Sequence, residues 1–184
     1  MIIKKTLDHL FKGHTILYPT DTSWGIGGDS GNDTVVQKIF NLKNRKNNKA
    51  LICLVSSFEM LEKHVKIIPN ELIKFINSDH PTTIIFDNPI GFSPLLINSD
   101  NTIALRITKN EFCKKLIKNF GRPIISTSAN ISKEATPYEF KSISKSILNG
   151  VDFIVPLDNN NKTQKVSRII KLNKLTGRVE FIRK

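Results

Sequence analysis

The sequence is poor in the residues that build disulfide frameworks and metal centres. Its 184 residues include two cysteines, Cys53 and Cys113, without a Cys-x-x-Cys pair, and four histidines without metal-ligand spacing. We therefore expect neither a disulfide framework nor a zinc framework, and this cysteine usage fits a reducing cytoplasm. No Ser–His–Asp or Cys–His order stands out, and the turns carry no paired carboxylates, so an enzyme with a covalent nucleophile is not expected either.

Long apolar runs are also missing. The run at 50–55 is among the longest, far below the ~20 residues that a membrane helix needs. The first residues lack the basic-then-apolar order of a signal peptide. We expect a single cytoplasmic domain over residues 1–184 that has no membrane partner.

Positive charge is abundant, because 28 lysines and arginines against 16 acidic residues give a net charge of +12. Such a balance invites a nucleic-acid partner. However, lysine outnumbers arginine 22 to 6 and is scattered along the chain, as AT-rich codons alone would produce. The charge is therefore weak evidence for RNA contact.

Helical and extended patterns alternate along the chain, without internal repeats or a domain boundary. Helical patterns lie at 4–12, 33–42, 58–65, 70–76, 111–120 and 138–148, and extended patterns at 15–18, 23–28, 50–55, 82–86, 103–107, 123–126, 152–156, 166–172 and 178–182. Asn32 or Asp33 is expected to cap the second helix, and Gly121 to end the fifth. This alternation predicts an α/β fold around a mixed sheet.

Two small-polar turns follow apolar extended runs, at 18–28 and at 126–130. In an extended backbone Ser126, Ser128 and Asn130 share one face, where hydroxyl and amide groups can bind a ligand. The alternative is a strand that simply leaves the core through a polar turn. Trp24, in the first segment, is expected to pack in the core rather than to stack on a base.

A basic segment with Lys43, Arg45 and Lys49 lies between these turns. Residues two apart on a helix point about 200° apart, so Lys43 and Arg45 can converge on one anion only if the helix ends near Leu42. Arg45 would then offer a planar fork to phosphate oxygens, with the lysines as point charges. The alternative is a basic helix C-terminus that interacts favourably with the helix dipole.

Together these segments resemble the YrdC family of threonylcarbamoyl-AMP synthases. The family's Pro-Thr-Asp/Glu-Thr-x-Tyr-Gly-Leu-Gly segment is matched by 19–27, with Trp24 in place of tyrosine. Its Lys-x-Arg is matched by 43–45, its Ser-x-Asn by 128–130, and a following Thr-Pro by 136–137. The three motifs occur in the family's order and spacing, and the resemblance runs from about Thr15 to Arg183.

The resemblance implies a YrdC-like twisted mixed β-sheet flanked by helices, with a large basic concave cavity. It implies synthesis of threonylcarbamoyl-AMP and pyrophosphate from L-threonine, bicarbonate and ATP, with Mg²⁺ accompanying ATP. A separate transferase complex would then modify adenosine 37 of tRNA, which the chain itself could also contact.

The resemblance also implies roles for particular residues. The catalytic nucleotide and phosphate site would comprise Lys43, Arg45, Ser128 and Asn130. Further ATP contacts would come from Lys49, Thr102, Ser126, Thr136 and Arg183, and threonine would be held by Thr20, Arg106 and Ser167, with Arg106 on its carboxylate. No metal ligands are implied. The alternatives are a non-catalytic RNA-binding paralogue and a paralogue that acts on another acyl or carbamoyl substrate.

Overall fold

The computed structural model describes residues 1–45, 51–157 and 166–184. Within these ranges six α-helices are formed: α1 (Ile2–Phe11), α2 (Asp33–Leu42), α3 (Phe58–His64), α4 (Asn70–Ile76), α5 (Glu111–Phe120) and α6 (Lys145–Gly150). Nine strands accompany them: β1 (Ile16–Pro19), β2 (Trp24–Gly27), β3 (Ile52–Val55), β4 (Thr82–Asp87), β5 (Thr102–Ile107), β6 (Ile124–Ser128), β7 (Phe153–Ile154), β8 (Arg168–Leu172) and β9 (Val179–Arg183).

All nine strands belong to one mixed sheet, in the order β7-β1-β2-β6-β3-β5-β4-β8-β9. Three neighbouring pairs are parallel, namely β1 with β7, β3 with β5 and β4 with β8, and the other five are antiparallel. The expected α/β fold around a mixed sheet is confirmed.

Short polar side chains begin the helices where the sequence places them. The Asn32 carboxamide oxygen accepts hydrogen bonds from the backbone amides of Thr34 and Val35 and caps α2. The Asn110 side chain accepts from the amide of Cys113 and caps α5, which ends at Gly121 with φ 79°. Such caps satisfy amides that a helix leaves without partners, so local sequence fixes these ends.

Helices cover both faces of the sheet. On one face α1 and α5 bury a cluster that includes Tyr18, Leu54, Leu116 and Ile124. On the other face lies a larger cluster that takes in α2, α3, α4 and α6. Trp24 is part of this larger core, as expected.

Two predicted elements differ clearly from the structure, and most of the others differ by one or two residues at their ends. The helix predicted at 138–148 is a 3₁₀ turn at Phe140–Ser142 followed by the shorter α6. Between them Ile143 takes an extended backbone conformation, and its side chain is buried. The strand predicted at 123–126 continues to Ser128, because Thr127 and Ser128 pair with Ile26 and Gly25 of β2.

Both cysteines are free and buried. None of the helices in the described part of the chain is long and apolar enough to cross a membrane.

Gly27 lies where the backbone of β6 and the ring of Tyr18 leave no room for a side chain. A Cβ atom there would be 2.3 Å from the Ile125 carbonyl oxygen and 2.7 Å from Tyr18 Cε1. We expect Gly27→Ala to lower the free energy of unfolding by about 3 kcal/mol, since overpacking forces the backbone to shift. Urea denaturation measures this.

Gly31→Ala is the matched control, because a Cβ atom there meets its nearest neighbour at an ordinary 3.5 Å. Equal stability of the two variants would contradict the close approach of β2 and β6.

Candidate active site

A cavity of about 330 Å³ lies against one face of the sheet. Its described lining is formed by Thr20, Thr22, Ser23, Gly25, Arg45, Ile52, Ile85, Ala104, Arg106, Ser126, Thr127, Ser128, Thr136, Tyr138, Val166, Ser167, Ile169, Ile182 and Arg183. Hydroxyl groups, three arginines and a few aliphatic side chains therefore share one space. This volume lies within the range of small-molecule sites.

The strand register explains why a cavity forms at this place. Ser126 of β6 lies opposite Ile52 of β3, which lies opposite Ala104 of β5, which in turn lies opposite Ile85 of β4. Successive side chains of a strand alternate between faces, so these four share one. The small side chains of Ser126, at one end of this row, and Ala104, inside it, leave space above the sheet.

The cavity lies on the same face of the sheet as α1 and α5. These helices cover one end of the face, and the cavity occupies the other. Along β6 the side chain of Ile124 packs in the cluster below these helices, whereas Ser126 and Ser128 line the cavity. Along β3 Leu54 is in the same cluster and Ile52 lines the cavity. The change from apolar to small polar side chains thus marks the point where helical cover stops.

Arg106 is held at one side of the cavity by a buried ion pair. Its Nη2 atom lies 3.3 Å from Asp21 Oδ1, and the side chains are 5% and 9% exposed. The hydroxyl of Thr108 donates to the same carboxylate oxygen at 3.2 Å. Asp21 Oδ2 and Arg106 Nε are buried and have no hydrogen-bond partner among the described residues. The pair fixes a cation in the cavity wall while leaving it hydrogen-bonding capacity.

Arg183 and Ser167 form the neighbouring part of the wall. The Arg183 guanidinium donates to the Ser167 carbonyl oxygen at 2.7 and 2.9 Å and to its hydroxyl at 3.1 Å. A register shift between Ile169 and Ile170 of β8 brings Arg183 opposite Ile169. Burial, and secondarily the nearby Arg106 charge, lower the pKa of Arg183.

Thr20 holds the turn that separates β1 from β2. Its hydroxyl donates to the Ser23 carbonyl oxygen at 2.8 Å and accepts from the amides of Thr22 and Ser23 at 3.2 and 3.3 Å. The turn is therefore held in one shape by its own hydrogen bonds, and Thr20, Thr22 and Ser23 line the cavity.

Lys43 follows the last residue of α2, which ends at Leu42 as the convergence of Lys43 and Arg45 requires. Its side chain is 1% exposed. The Nζ atom donates to the carbonyl oxygens of Ser128 at 2.5 Å and Asn130 at 2.6 Å. The Ser132 amide donates back to the Lys43 carbonyl at 2.8 Å. Lys43 thus binds the turn after β6 through both its side chain and its backbone.

The charge of Lys43 is unfavourably placed. Burial first, and then the nearby Arg45 charge, lower the pKa of Lys43 to about 8. Burial also lowers the pKa of Arg45, which lines the cavity. The Asn44 backbone between them has φ 47°, and this sharp turn brings Arg45 to the cavity.

Asn130 closes the same turn. Its amide nitrogen donates to the carbonyl oxygens of Ile131 at 3.0 Å and Glu134 at 2.7 Å. Its carboxamide oxygen is buried and, within the described ranges, has no hydrogen-bond partner. Lys43 and Asn130 therefore hold the turn that follows Ser128 at the end of β6, and neither is part of the described cavity lining.

Most of the predicted site residues are brought together. Eight of them line the cavity: Thr20, Arg45, Arg106, Ser126, Ser128, Thr136, Ser167 and Arg183. Thr102 is not part of the lining; its hydroxyl bonds Asp100 at 2.6 Å and the Asn98 amide at 3.0 Å. Lys49 lies outside the described residues.

Asp21 is the residue that sequence reasoning missed, because its place in a Pro-Thr-Asp-Thr turn is explained by turn chemistry alone. The sequence holds no local signal that its carboxylate reaches Arg106, 85 residues away. In the described part of the chain, histidine, cysteine and acidic residues form no group of three that could hold a metal ion. The described cavity donors are hydroxyls and guanidinium groups without a carboxylate among them, and this set does not fit a resident magnesium site.

The fold and the cavity define an α/β protein with a cavity lined by hydroxyl groups and three guanidinium groups. The family model described as "Telomere recombination", that of Sua5, YciO and YrdC, matches residues 8–184. The chain belongs to this family, as the sequence motifs predicted.

Relatives with moderate sequence identity to this chain are named threonylcarbamoyl-AMP synthase. The threonylcarbamoyl-AMP synthase of Riesia pediculicola is 34% identical over 131 residues, which cover 68% of this chain and 70% of the relative. The threonylcarbamoyl-AMP synthase of Pseudoalteromonas translucida is 30% identical over 163 residues, covering 85% and 87%.

Solved structures share the fold. P. abyssi Sua5 complexed with L-threonine superposes with a TM-score of 0.87 at 25% identity, covering 98% of this chain and 53% of that one. The chain thus spans about half the length of that Sua5. E. coli YciO has a TM-score of 0.84 at 19% identity, covering 100% and 88%, and shows the fold alone.

The depressed pKa of Lys43 leads to a prediction about stability. Between pH 8 and 10.5 the unfolded chain keeps the Lys43 proton that the folded chain has lost, so this group adds stability as pH rises. Below pH 8 the folded protein carries the charged form at a desolvation cost. Relative to Lys43→Met, wild type should therefore gain at most about 1.4 kcal/mol per pH unit across this window.

Urea denaturation at several pH values measures the difference. The exposed Lys118→Met is the control and should run parallel to wild type. A Lys43→Met curve that also runs parallel to wild type would show that Lys43 titrates as an ordinary lysine.

Proposed function

We propose that this chain is a threonylcarbamoyl-AMP synthase, which joins L-threonine, bicarbonate and ATP and releases pyrophosphate. The observation that carries the proposal is one cavity that combines Arg45 and Ser128 with Thr20, Arg106 and Ser167. Synthases of this name at 30–34% identity support it, and a Sua5 of the same fold has been solved with L-threonine.

The amino-acid end of the cavity would be formed by Arg106, Thr20 and Ser167. The planar guanidinium of Arg106 matches a carboxylate, and the turn that Thr20 holds rigid lies in the cavity wall with it. A preformed end of this kind holds threonine with its amine directed toward the second substrate, which lowers the entropic cost of reaction.

The nucleotide end would be formed by Arg45, Ser126, Ser128 and Thr136, with Arg183 beside the amino-acid end. Guanidinium and hydroxyl donors are suited to phosphate oxygens. Lys43 and Asn130 would act through the turn that they hold, by keeping Ser128 in place. Mg²⁺ would enter on the ATP phosphates, as part of the substrate.

The reaction needs no protein nucleophile. Threonine's neutral amine takes up bicarbonate with loss of water and becomes a carbamate. A carbamate oxygen then attacks the α-phosphorus, and the bond to the β-phosphate breaks as pyrophosphate leaves. The donors at the nucleotide end stabilise the charge that builds on the transferring phosphoryl oxygens. In the cytoplasm the product would pass to a transferase complex acting on adenosine 37 of tRNA.

Incubation with ATP, Mg²⁺, bicarbonate and labelled threonine tests the proposal. We expect threonylcarbamoyl-AMP and pyrophosphate in equal amounts, both dependent on bicarbonate. Salt-dependent tRNA binding without ATP turnover would instead indicate an RNA-binding paralogue, and turnover with another acyl or carbamoyl donor a different substrate.

Ser128→Ala removes a hydroxyl from the nucleotide end while its backbone keeps the pairing with Gly25. We expect kcat to fall about a hundredfold or more, which is the usual effect of losing one donor to developing charge. Threonine-dependent pyrophosphate release measures this. The exposed Ser146→Ala should keep wild-type turnover, and a Ser128→Ala enzyme with the same turnover would remove Ser128 from the site.

Arg106→Lys keeps a cation beside Asp21 but removes the planar fork. We expect KM for threonine to rise at least tenfold and KM for ATP to change less than twofold, because only the carboxylate loses its bidentate partner. Steady-state kinetics with each substrate varied separates the two effects. The exposed Arg178→Lys is the control, and an equal rise in both KM values would contradict the assignment.

A further inference from the structure

The three arginines of the cavity do not by themselves distinguish a carboxylate from a phosphate. Arg45, Arg106 and Arg183 all line the same space. A guanidinium group binds phosphate as readily as carboxylate, and more strongly where the anion carries two charges. Something must therefore distinguish the end that takes a single carboxylate from the end that takes phosphate.

Asp21 is placed to make this distinction. Its carboxylate lies 3.3 Å from Arg106 Nη2 and is 9% exposed, so its charge acts on Arg106 with little screening by solvent. Arg183 lies in the same part of the wall, because it donates to the Ser167 hydroxyl and the charge of Arg106 is close enough to act on it. Without Asp21 this part of the cavity would carry two neighbouring uncompensated cations.

The position of Asp21 is fixed from both sides of the cavity wall. It follows Thr20 in the turn between β1 and β2, and its Oδ1 accepts from the Thr108 hydroxyl just after β5. Among the described residues the buried Oδ2 atom accepts no hydrogen bond. Arg106 is the cation that pairs with Asp21 in the described part of the chain.

We propose that Asp21 determines the anion selectivity of the amino-acid end: it anchors one arm of Arg106 and offsets its charge, so that this end accepts one carboxylate and disfavours phosphate. That the carboxylate belongs to threonine rests on the proposed function. The selectivity itself does not, because it can be measured with inorganic phosphate alone.

Calorimetric titration of the purified protein with inorganic phosphate, without ATP, tests the proposal. Asp21→Asn keeps the shape and removes the charge, and we expect it to bind phosphate at least tenfold more tightly than wild type. Asp21→Glu keeps the charge and should stay within threefold of wild type. The control is Asp79→Asn, which removes an exposed carboxylate from the Lys109 ion pair and should change nothing.

The double variant Asp21→Asn/Arg106→Lys tests whether the effect acts through Arg106. In this variant we expect the gain in phosphate affinity to be absent. A purely structural role for Asp21 would lower the melting temperature and weaken ligand binding, whereas the proposal requires a gain. Wild-type phosphate affinity in Asp21→Asn would overturn it, and so would a gain that survives in the double variant or appears in Asp79→Asn.

A parallel titration with L-threonine separates the two hypotheses. Failure of wild type to bind threonine would count against the proposed function, while the phosphate contrast would still decide the role of Asp21. Competition between threonine and phosphate in Asp21→Asn is the expected result if both hypotheses hold.

Discussion

The ammonium group of Lys43 connects the end of α2 to the turn after β6, and the geometry of the site depends on this contact. A buried lysine is costly unless its donors are satisfied, and here two backbone carbonyls accept from it. The Ser132 amide returns a bond to the Lys43 carbonyl. Arg45, two residues along, and Ser128, whose carbonyl is bound, are thereby placed relative to each other before any ligand arrives.

The sheet supplies the second constraint. Its concave space exists because α1 and α5 cover one end of a face whose other end carries Ser126, Ala104 and Gly25. Strands β2, β6, β3 and β5 are hydrogen-bonded neighbours, so the floor of the cavity is rigid. Preformed sites of this kind favour positioning and electrostatic stabilisation, which is what the proposed reaction, without a protein nucleophile, would require.

Much of the fold could be predicted because its signals are local. The cap at Asn32, the glycine stop at 121 and the apolar spacing of α5 each depend on residues a few positions apart. The segment 138–148 was misassigned because helical spacing alone cannot show that Ile143 is drawn into the core in an extended conformation. The end of β6 was placed too early because its last pairs, with β2, join residues about a hundred positions apart.

The sequence by itself determined the order of the elements, the family and eight of the residues that line the cavity. Only the tertiary structure decided which of the predicted residues line the cavity and which hold the backbone beside it. Lys43 and Asn130 belong to the same motifs as Arg45 and Ser128, yet their polar atoms bind the backbone of a turn instead of lining the cavity. Asp21 has the appearance of an ordinary turn residue until folding places it against Arg106. The physical reason is that an ion pair or a hydrogen bond across strands depends on distance in space, which the linear order of residues does not contain.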